Sequence, residues 1–379
     1  KLKNPQAGYV PDLPGSSCRR KPRAIGWWGI KLITNGGGAN PQQAGEEIVK
    51  VGKELGLTGL KVGVVLGDDL TGRIDELRGK GIKFSNMETG EEDIERIKDA
   101  IAGAYVYIGA DRIIEALREG ADIVIGGRLA DNSLYVAPVM YEFGWDFKEL
   151  YWNKIGAAMT CGHILECACC CTGGMMCSQW KDVREPWNVG YPTFEMDENG
   201  DAVISKTPDT GGLVNSWTVK EHLVYEVHDP RNYIMPDGIA DFTTLHVEDI
   251  GVDKVKVTNM TGKPRPDNLK VGIAYSDGWR QELEAWYSWP DALEKAKHAE
   301  FILKEWLKRH ENILKPEEML IDYMGFTLSQ GSVVPVPQSA PDLPEVGLRV
   351  CAKFKTRQEA AFLRHEAIRW CAFPSGWTF

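Results

Sequence analysis

The chain has 379 residues, with 44 Lys and Arg against 54 Asp and Glu, a formal net charge of −10. That acidic balance argues against nucleic acid or an anionic membrane as the main partner, because both attract basic faces. Its 40 glycines follow no collagen period, and a hydrophobic content of 43% suits a packed globular protein rather than a disordered one. No apolar run approaches the roughly 18 residues of a membrane span. The length fits two domains or one large one.

The chain opens Lys1-Leu-Lys-Asn-Pro5, without an initiator Met or a secretory pattern, which reads as a fragment or a processed start. Residues 29–34 form a short apolar run ended by Asn35-Gly-Gly-Gly38, and a helical spacing follows over 41–51. Pro41 suits the first turn of that helix, where a missing N–H costs nothing. Residues 60–66 are the next strand candidate, ended by Gly67-Asp-Asp69. A helix is expected over 91–104, a strand over 105–108, a helix over 111–119 and a buried strand over 120–126. This alternation predicts an α/β fold: a doubly wound, largely parallel sheet with Gly-rich loops at its strand ends.

From about residue 186 the composition shifts to Thr, Val, Pro and Gly. A hairpin is expected at 197–200, between strands at 193–196 and 202–205, with further strands at 246–249 and 254–257. Helix returns over 286–312, then a strand over 348–354 and a helix over 356–370. The expected organisation is a Rossmann-like α/β domain over 1–185 with its start missing, and a strand-rich α+β domain over 186–379. The two halves are open to sharing one core.

Three features carry chemistry. The loop Asn35, Gly36, Gly37, Gly38 and Asn40 follows a strand end and precedes a helix, where backbone N–H groups can hold a phosphate or carboxylate. It matches neither the dinucleotide nor the P-loop motif, so no nicotinamide or ATP site is expected; a plain tight turn is the competing reading. The second feature is a set of strand-end carboxylates, Asp68, Asp69, Asp111 and Asp131, with Arg128 suited to a carboxylate or phosphate. Asp69 and Asp111 also read as plain helix caps, and for Asp111 the cap is the favoured reading.

The third feature is Thr160-Cys-Gly-His-Ile-Leu-Glu-Cys-Ala-Cys-Cys-Cys-Thr-Gly-Gly174. His163 and Glu166 stand three apart, on one helix face, as an acid–base pair or as metal ligands. Six of nine Cys crowd between 161 and 177, which argues for reduced thiols and a cytoplasmic setting rather than a disulfide framework. The run lacks the two spaced pairs of a zinc site and matches neither ferredoxin pattern, so buried packing beside Gly173 and Gly174 is the plainer reading for most of these Cys. Whether a divalent metal binds stays open. Asp209-Thr-Gly-Gly212, with Thr210 and Gly211, is another turn that either approaches a ligand or merely turns.

Several stretches, in order, carry a family likeness. They include Lys1-Leu-Lys-Asn-Pro-Gln-Ala-Gly-Tyr9, Thr34-Asn-Gly-Gly-Gly-Ala-Asn-Pro41, Val65-Leu-Gly-Asp-Asp-Leu70 and Tyr107-Ile-Gly-Ala110. Next come Gly120-Ala-Asp-Ile-Val-Ile-Gly-Gly-Arg-Leu-Ala-Asp131, Phe143-Gly-Trp145 and Gly162-His-Ile-Leu-Glu-Cys167. Thr172-Gly-Gly174, Thr210-Gly-Gly212 and Val224-Tyr-Glu-Val-His-Asp-Pro230 complete the set. With these, residues from about 29 to 354 resemble the acyclic terpene utilisation protein A family. Residues 16–28 and the Cys169-Cys-Cys171 run depart from the family's pattern.

The resemblance implies a part in acyl-CoA catabolism of acyclic terpenoids such as citronellol and geraniol. It suggests a lyase acting on a branched 3-hydroxyacyl-CoA, and association with a small ferredoxin-like domain or subunit. The sequence expectation is therefore an enzyme of branched-acid breakdown, a carbon–carbon lyase or hydrolase and a homo-oligomer, with an acyl-CoA-type substrate. His163, Glu166 and Asp131 would be catalytic. Asn35 to Gly38, Asn40, Asp68, Asp69, Arg128, Thr172, Gly173, Gly174, Thr210 and Gly211 would hold the substrate. A non-catalytic subunit of a larger assembly is the alternative from another class, and a metal-cluster protein a third.

Overall fold

The computed structural model describes residues 7–13, 30–92, 94–312, 314–329, 331–333, 335 and 338–371. The departing stretch at 16–28, the first six residues, Gly29 and Cys18 lie outside them. The chain divides into two compact units, Lys1–Ala274 and Tyr275–Phe379. Residue 185, the boundary expected from composition, falls inside the first unit, where one hydrophobic cluster runs from Val65 to Met260.

The first unit is mixed α/β and built from several small sheets. Its parallel part has three strands, β1 (Leu32–Thr34), β2 (Val62–Val65) and β4 (Ile123–Gly126), in the order β1-β4-β2. All four β4 residues are buried, as the central position demands. Ile123 and Ile125 pack with Ala44, Ile48 and Val51 of α1 (Pro41–Glu54). Val124 joins the cluster of Ile113, Ile114 and Leu117 of α3 (Asp111–Arg118). Alternating side chains thus seat one helix on each face of a small sheet.

The expected helix over 91–104 is not formed. Its start holds short 3-10 turns, and Ile101–Val106 is a strand, β3, preceded in chain order by the short helix α2 (Ile74–Gly79). β3 pairs with β12 (Val271–Tyr275), about 170 residues on, and not with the parallel sheet. A partner that distant leaves no trace in local apolar spacing, which reads as helical. Among the described residues the parallel sheet therefore has three strands rather than the four that the sequence alternation suggested, and an isolated parallel bridge joins Ile108 to Leu129 just past β4.

Two helices follow, α4 (Ser133–Phe143) and α5 (Trp152–Leu165). Every α5 residue from Ile155 to Leu165 is buried, so this helix is the axis of the first unit's core. It packs on α4, on α6 (Ser216–Leu223) and on β5 (Pro192–Met196). It also meets β8 (Gly238–Asp241) and β11 (Thr261–Lys263). The hairpin at 197–200 forms as its turn chemistry predicts, joining β5 antiparallel to β6 (Ala202–Lys206). β10 (Lys254–Thr258) pairs with β6 and with β9 (His246–Gly251), and β7 (Tyr233–Met235) with β8.

α5 and β11 touch backbone to backbone. A Cβ on Gly156 would stand 2.6 Å from both the Thr261 carbonyl oxygen and the Gly262 Cα. Neither is a side chain that can turn away, so Gly156→Ala should destabilise the first unit by about 2–3 kcal/mol. Gly79→Ala at the end of α2, where nothing lies within 4 Å, should be neutral or slightly stabilising. Denaturant titration of the two variants checks the contrast; equal behaviour would dismiss the close approach.

The second unit holds β13 (Trp279–Ser288), α7 (Ala292–Arg309), β14 (Glu318–Met324), β15 (Glu345–Phe354) and α8 (Arg357–Cys371). Its antiparallel sheet has the order β13-β15-β14, and α7 and α8 pack against the face lined by Leu283, Ala285, Val346, Leu348 and Val350. The helix expected over 286–312 starts later, because Trp279–Ser288 alternates inward and outward as a strand.

Candidate active site

The buried helix α5 ends at Leu165, and Glu166 is its extended C-cap. His163, in the last turn, is 1% exposed. Its Nδ1 lies 2.9 Å from Glu166 Oε1, and its Nε2 donates to the His222 carbonyl oxygen at 3.1 Å. His222 returns the contact, its Nε2 donating to the His163 carbonyl oxygen at 2.7 Å. The His163 ring also stacks near Phe242 and Tyr233. Both nitrogens of His163 are therefore engaged, and the ring is walled from solvent.

Glu166 differs. Its side chain keeps 15% of its surface exposed while one carboxylate oxygen meets His163. The contact between Nδ1 and Oε1 places Glu166 at the outward end of a buried His–Glu pair. The His222 Nδ1 is buried without a partner, and burial, then the nearby His163, lowers the tendency of that ring to charge.

Asp131 comes to the same region from the β4 end of the parallel sheet. Asn35 Nδ2 donates to Asp131 Oδ1 at 2.6 Å, which joins the two predicted loops directly. Tyr135 on α4 and Tyr233 on β7 lie within the field of both carboxylates. Burial first, then the charges of Glu166 and Asp131, raise the Tyr135 hydroxyl above its ordinary value. Tyr233 is raised by burial and by the same two carboxylates, while Asn132 Nδ2, donating to its hydroxyl oxygen at 3.2 Å, opposes the shift. Asn132 Oδ1 is buried with no partner. The Tyr135 hydroxyl donates to the Leu165 carbonyl oxygen at 3.4 Å, and both phenols feel the charges of Glu166 and Asp131.

The other predicted residues divide into two groups. Asp68 is buried and accepts the Arg128 N–H at 2.7 Å, so it shapes the strand-end turn. Asp69 accepts the Thr71 N–H at 3.0 Å. The Arg128 guanidinium lies 5.3 Å from the centre of the Tyr107 ring, and Lys270 Nζ lies at the same distance from it. Asp111 begins α3 and pairs with Arg265.

The Gly-rich loops spend their backbone donors on the protein. Gly36 N–H donates to Thr34 Oγ1, Gly37 to the Gly126 carbonyl, Gly38 to Asn35 and Asn40 to Gly37. Ala39 N–H is taken by the Gly8 carbonyl. With these donors occupied, the loop is a packed turn whose Asn35 side chain reaches Asp131. Thr172 is fully buried, and its hydroxyl donates to the Gly190 carbonyl oxygen at 2.5 Å, with the Cys169 carbonyl 3.0 Å away. A Cβ on Gly212 would stand 2.7 Å from the Thr172 carbonyl oxygen, so the turns at 172–174 and 210–212 are packed against one another. Thr210 donates to the Thr207 carbonyl at 2.5 Å, and the Gly211 N–H to Asn188.

Cys161 and Cys171 are buried, and burial holds both thiols far above their usual range, Cys171 at about 12. Among the described residues, no three His, Cys, Asp or Glu side chains gather as a metal-holding set. Sequence reasoning missed Tyr135, Tyr233 and Asn132. Asn132 directly follows Asp131 and precedes α4, a position that could have flagged it; nothing local marks the tyrosines. Among the described residues, no helix is long and apolar enough to cross a membrane.

The model of the acyclic terpene utilisation family protein AtuA matches residues 1–378, essentially the whole chain. The chain belongs to that family, and a role in acyclic terpene utilisation follows from it. No curated protein and no solved structure matches it.

Proposed function

We propose that this chain is an enzyme that cleaves a carbon–carbon bond in a branched 3-hydroxyacyl-CoA during acyclic terpenoid breakdown. The observation that carries the reading is the buried His163–Glu166 pair at 2.9 Å, with the Tyr135 hydroxyl on the neighbouring Leu165 carbonyl and the Tyr233 ring against His163. A retro-aldol cleavage needs those groups and no redox change. One carboxylate takes the proton of the 3-hydroxyl, and the C2–C3 bond breaks as the hydroxyl carbon becomes a carbonyl. The electron pair passes into the thioester enolate, which a phenol hydroxyl stabilises by hydrogen bonding. Return of the proton to C2 completes a shortened acyl-CoA.

In this scheme Glu166 is the catalytic acid–base group, and His163 is a positioning residue paired with it. Asn35 orients Asp131. Arg128 and Lys270, both beside the Tyr107 ring, suit the phosphates of the coenzyme A portion. The test incubates purified chain with a branched 3-hydroxyacyl-CoA and follows the thioesters by mass spectrometry. A ketone together with a shortened thioester is the expected result. Free coenzyme A with the acyl carbon skeleton intact would identify thioester hydrolysis instead, and an unchanged substrate would count against both.

A further inference from the structure

Cys167 and Cys170 stand at a C-x-x-C spacing immediately beyond Glu166, and neither is used by the chemistry above. The Cys170 N–H donates to the Cys167 carbonyl oxygen at 3.3 Å, which closes a β-turn around Ala168 and Cys169. Such a turn brings its first and fourth Cα within about 7 Å, and disulfides span Cα separations of about 4.4–6.8 Å. Cys167 and Ala168 both adopt left-handed backbone, with φ of 60° and 58°, so the chain accepts local strain to make this turn.

The neighbouring thiols are placed differently. A Cβ on Gly174 would stand 2.9 Å from Cys169 Sγ, so the Cys169 side chain is turned against the Gly173-Gly174 turn. Cys161 and Cys171 are buried. Cys177 is exposed but sits seven residues beyond Cys170, with its N–H on Glu221. Cys167 is exposed, and Cys169 and Cys170 are both half-buried; of those two, Cys170 is the one that the turn hydrogen bond sets opposite Cys167.

We infer that Cys167 and Cys170 form a thiol–disulfide exchange site that takes low-molecular-weight disulfides such as glutathione disulfide. The chemistry balances within the pair and its reagent. The Cys167 thiolate attacks one sulfur of the reagent, breaking its S–S bond and releasing one thiol. Cys170 then attacks the Cys167 sulfur of the mixed disulfide, and the second thiol leaves with the proton. Two protein thiols are oxidised to one disulfide as one reagent disulfide is reduced.

Cys167 is the attacking thiol because it is the more exposed, and because the Tyr225 hydroxyl beside it stabilises its thiolate. Burial, then the groups nearby (Glu166 and Glu226 at Cys167, Cys169 and then Glu226 at Cys170), hold both thiols above their ordinary range. Exchange should therefore quicken as pH rises, and the disulfide once formed should resist reduction, since a weakly acidic dithiol is a poor leaving pair. None of this depends on the reaction proposed for Glu166.

The experiment treats the full chain with excess glutathione disulfide, alkylates the remaining thiols and maps the Cys-bearing peptide by mass spectrometry. The wild-type peptide should be lighter by two hydrogens and carry no glutathione. Cys170→Ser should trap glutathione on Cys167, and Cys167→Ser should show no internal bond, while Cys169→Ser and Cys177→Ser should still close it. Closure that survives in Cys167→Ser or Cys170→Ser would overturn the assignment. So would loss of closure in Cys169→Ser, or a wild-type chain that remains fully alkylated. Circular dichroism of each variant, matched to wild type, separates lost chemistry from lost fold.

Discussion

Glu166→Gln should lower kcat by about 10²–10⁴-fold, the usual share of a general acid–base group, with KM changed far less. Glutamine keeps the length and shape of the side chain, and its amide can still donate to His163 Nδ1. It cannot take a proton from a hydroxyl. Because Glu166 is a partly exposed helix C-cap rather than a core residue, the variant should melt close to wild type. A Glu166→Gln enzyme with undiminished kcat on the substrate class identified for wild type would remove Glu166 from the chemistry.

His163→Ala is the less clean variant, although the sequence points to this residue first. Its ring fills space against Phe242 and Tyr233 and donates to the His222 carbonyl. Truncation leaves a cavity and a buried carbonyl without its donor, which costs about 2–4 kcal/mol before any chemistry is considered. A lost activity would then be ambiguous. The positioning role has its own signature: His163→Gln should move the pH profile of kcat by changing the partner of Glu166.

The fold and the site were legible in the sequence to unequal degrees. Strand-end loops could be read because Gly and Asp mark where a buried strand stops; there Asn35 donates to Asp131, and Asp68 accepts the Arg128 backbone N–H. The hairpin at 197–200 and the helix beginning at Pro41 follow from local turn and cap chemistry. The strand at Ile101–Val106 could not be read, because its partner lies near residue 271. His163 and Glu166 were found because they sit three apart on one helix. Tyr135 and Tyr233 were not, because they reach the site from α4 and β7, separated by 98 positions of chain that carry no mutual signal. The Gly-rich loop looked like an anion cradle in sequence; its donors are taken by Gly8, Asn35 and Gly126, which only tertiary structure reveals.

Asp237 was invisible to pattern reading and should carry the largest single stability effect in the first unit. It lies in the turn between β7 and β8, 1% exposed. One carboxylate oxygen accepts the Ala110 N–H at 2.7 Å, at the start of α3, and the other accepts the Ser133 hydroxyl at the start of α4. Arg265 Nη2 stands 3.8 Å away and is itself paired with Asp111, its guanidinium 3.9 Å from the centre of the Phe147 ring. One buried side chain therefore ties two helix starts to a hairpin. Asp237→Ala would strand a buried N–H and a buried hydroxyl, and should cost about 3 kcal/mol or more. A loss under about 1 kcal/mol by denaturant titration would show that the network is not coupled in this way.

The pH dependence of the same residue has a definite sign. Burial, the largest influence, raises the Asp237 carboxyl above its ordinary 3.8, against the opposing pull of Ser133, Ala110 and Arg265. In the window above 3.8 and below the raised value, the folded chain keeps a proton that the unfolded chain has released. This residue's contribution to stability therefore falls as pH rises through that window and is constant above it. Asp237→Asn keeps an acceptor for Ala110 and a partner for Ser133 but cannot titrate, so it should flatten that part of the stability–pH curve without the loss seen in alanine. Melting temperatures of wild type and Asp237→Asn across mildly acidic pH decide the matter: parallel curves would assign the slope to other groups, and converging curves at low pH would assign it to Asp237.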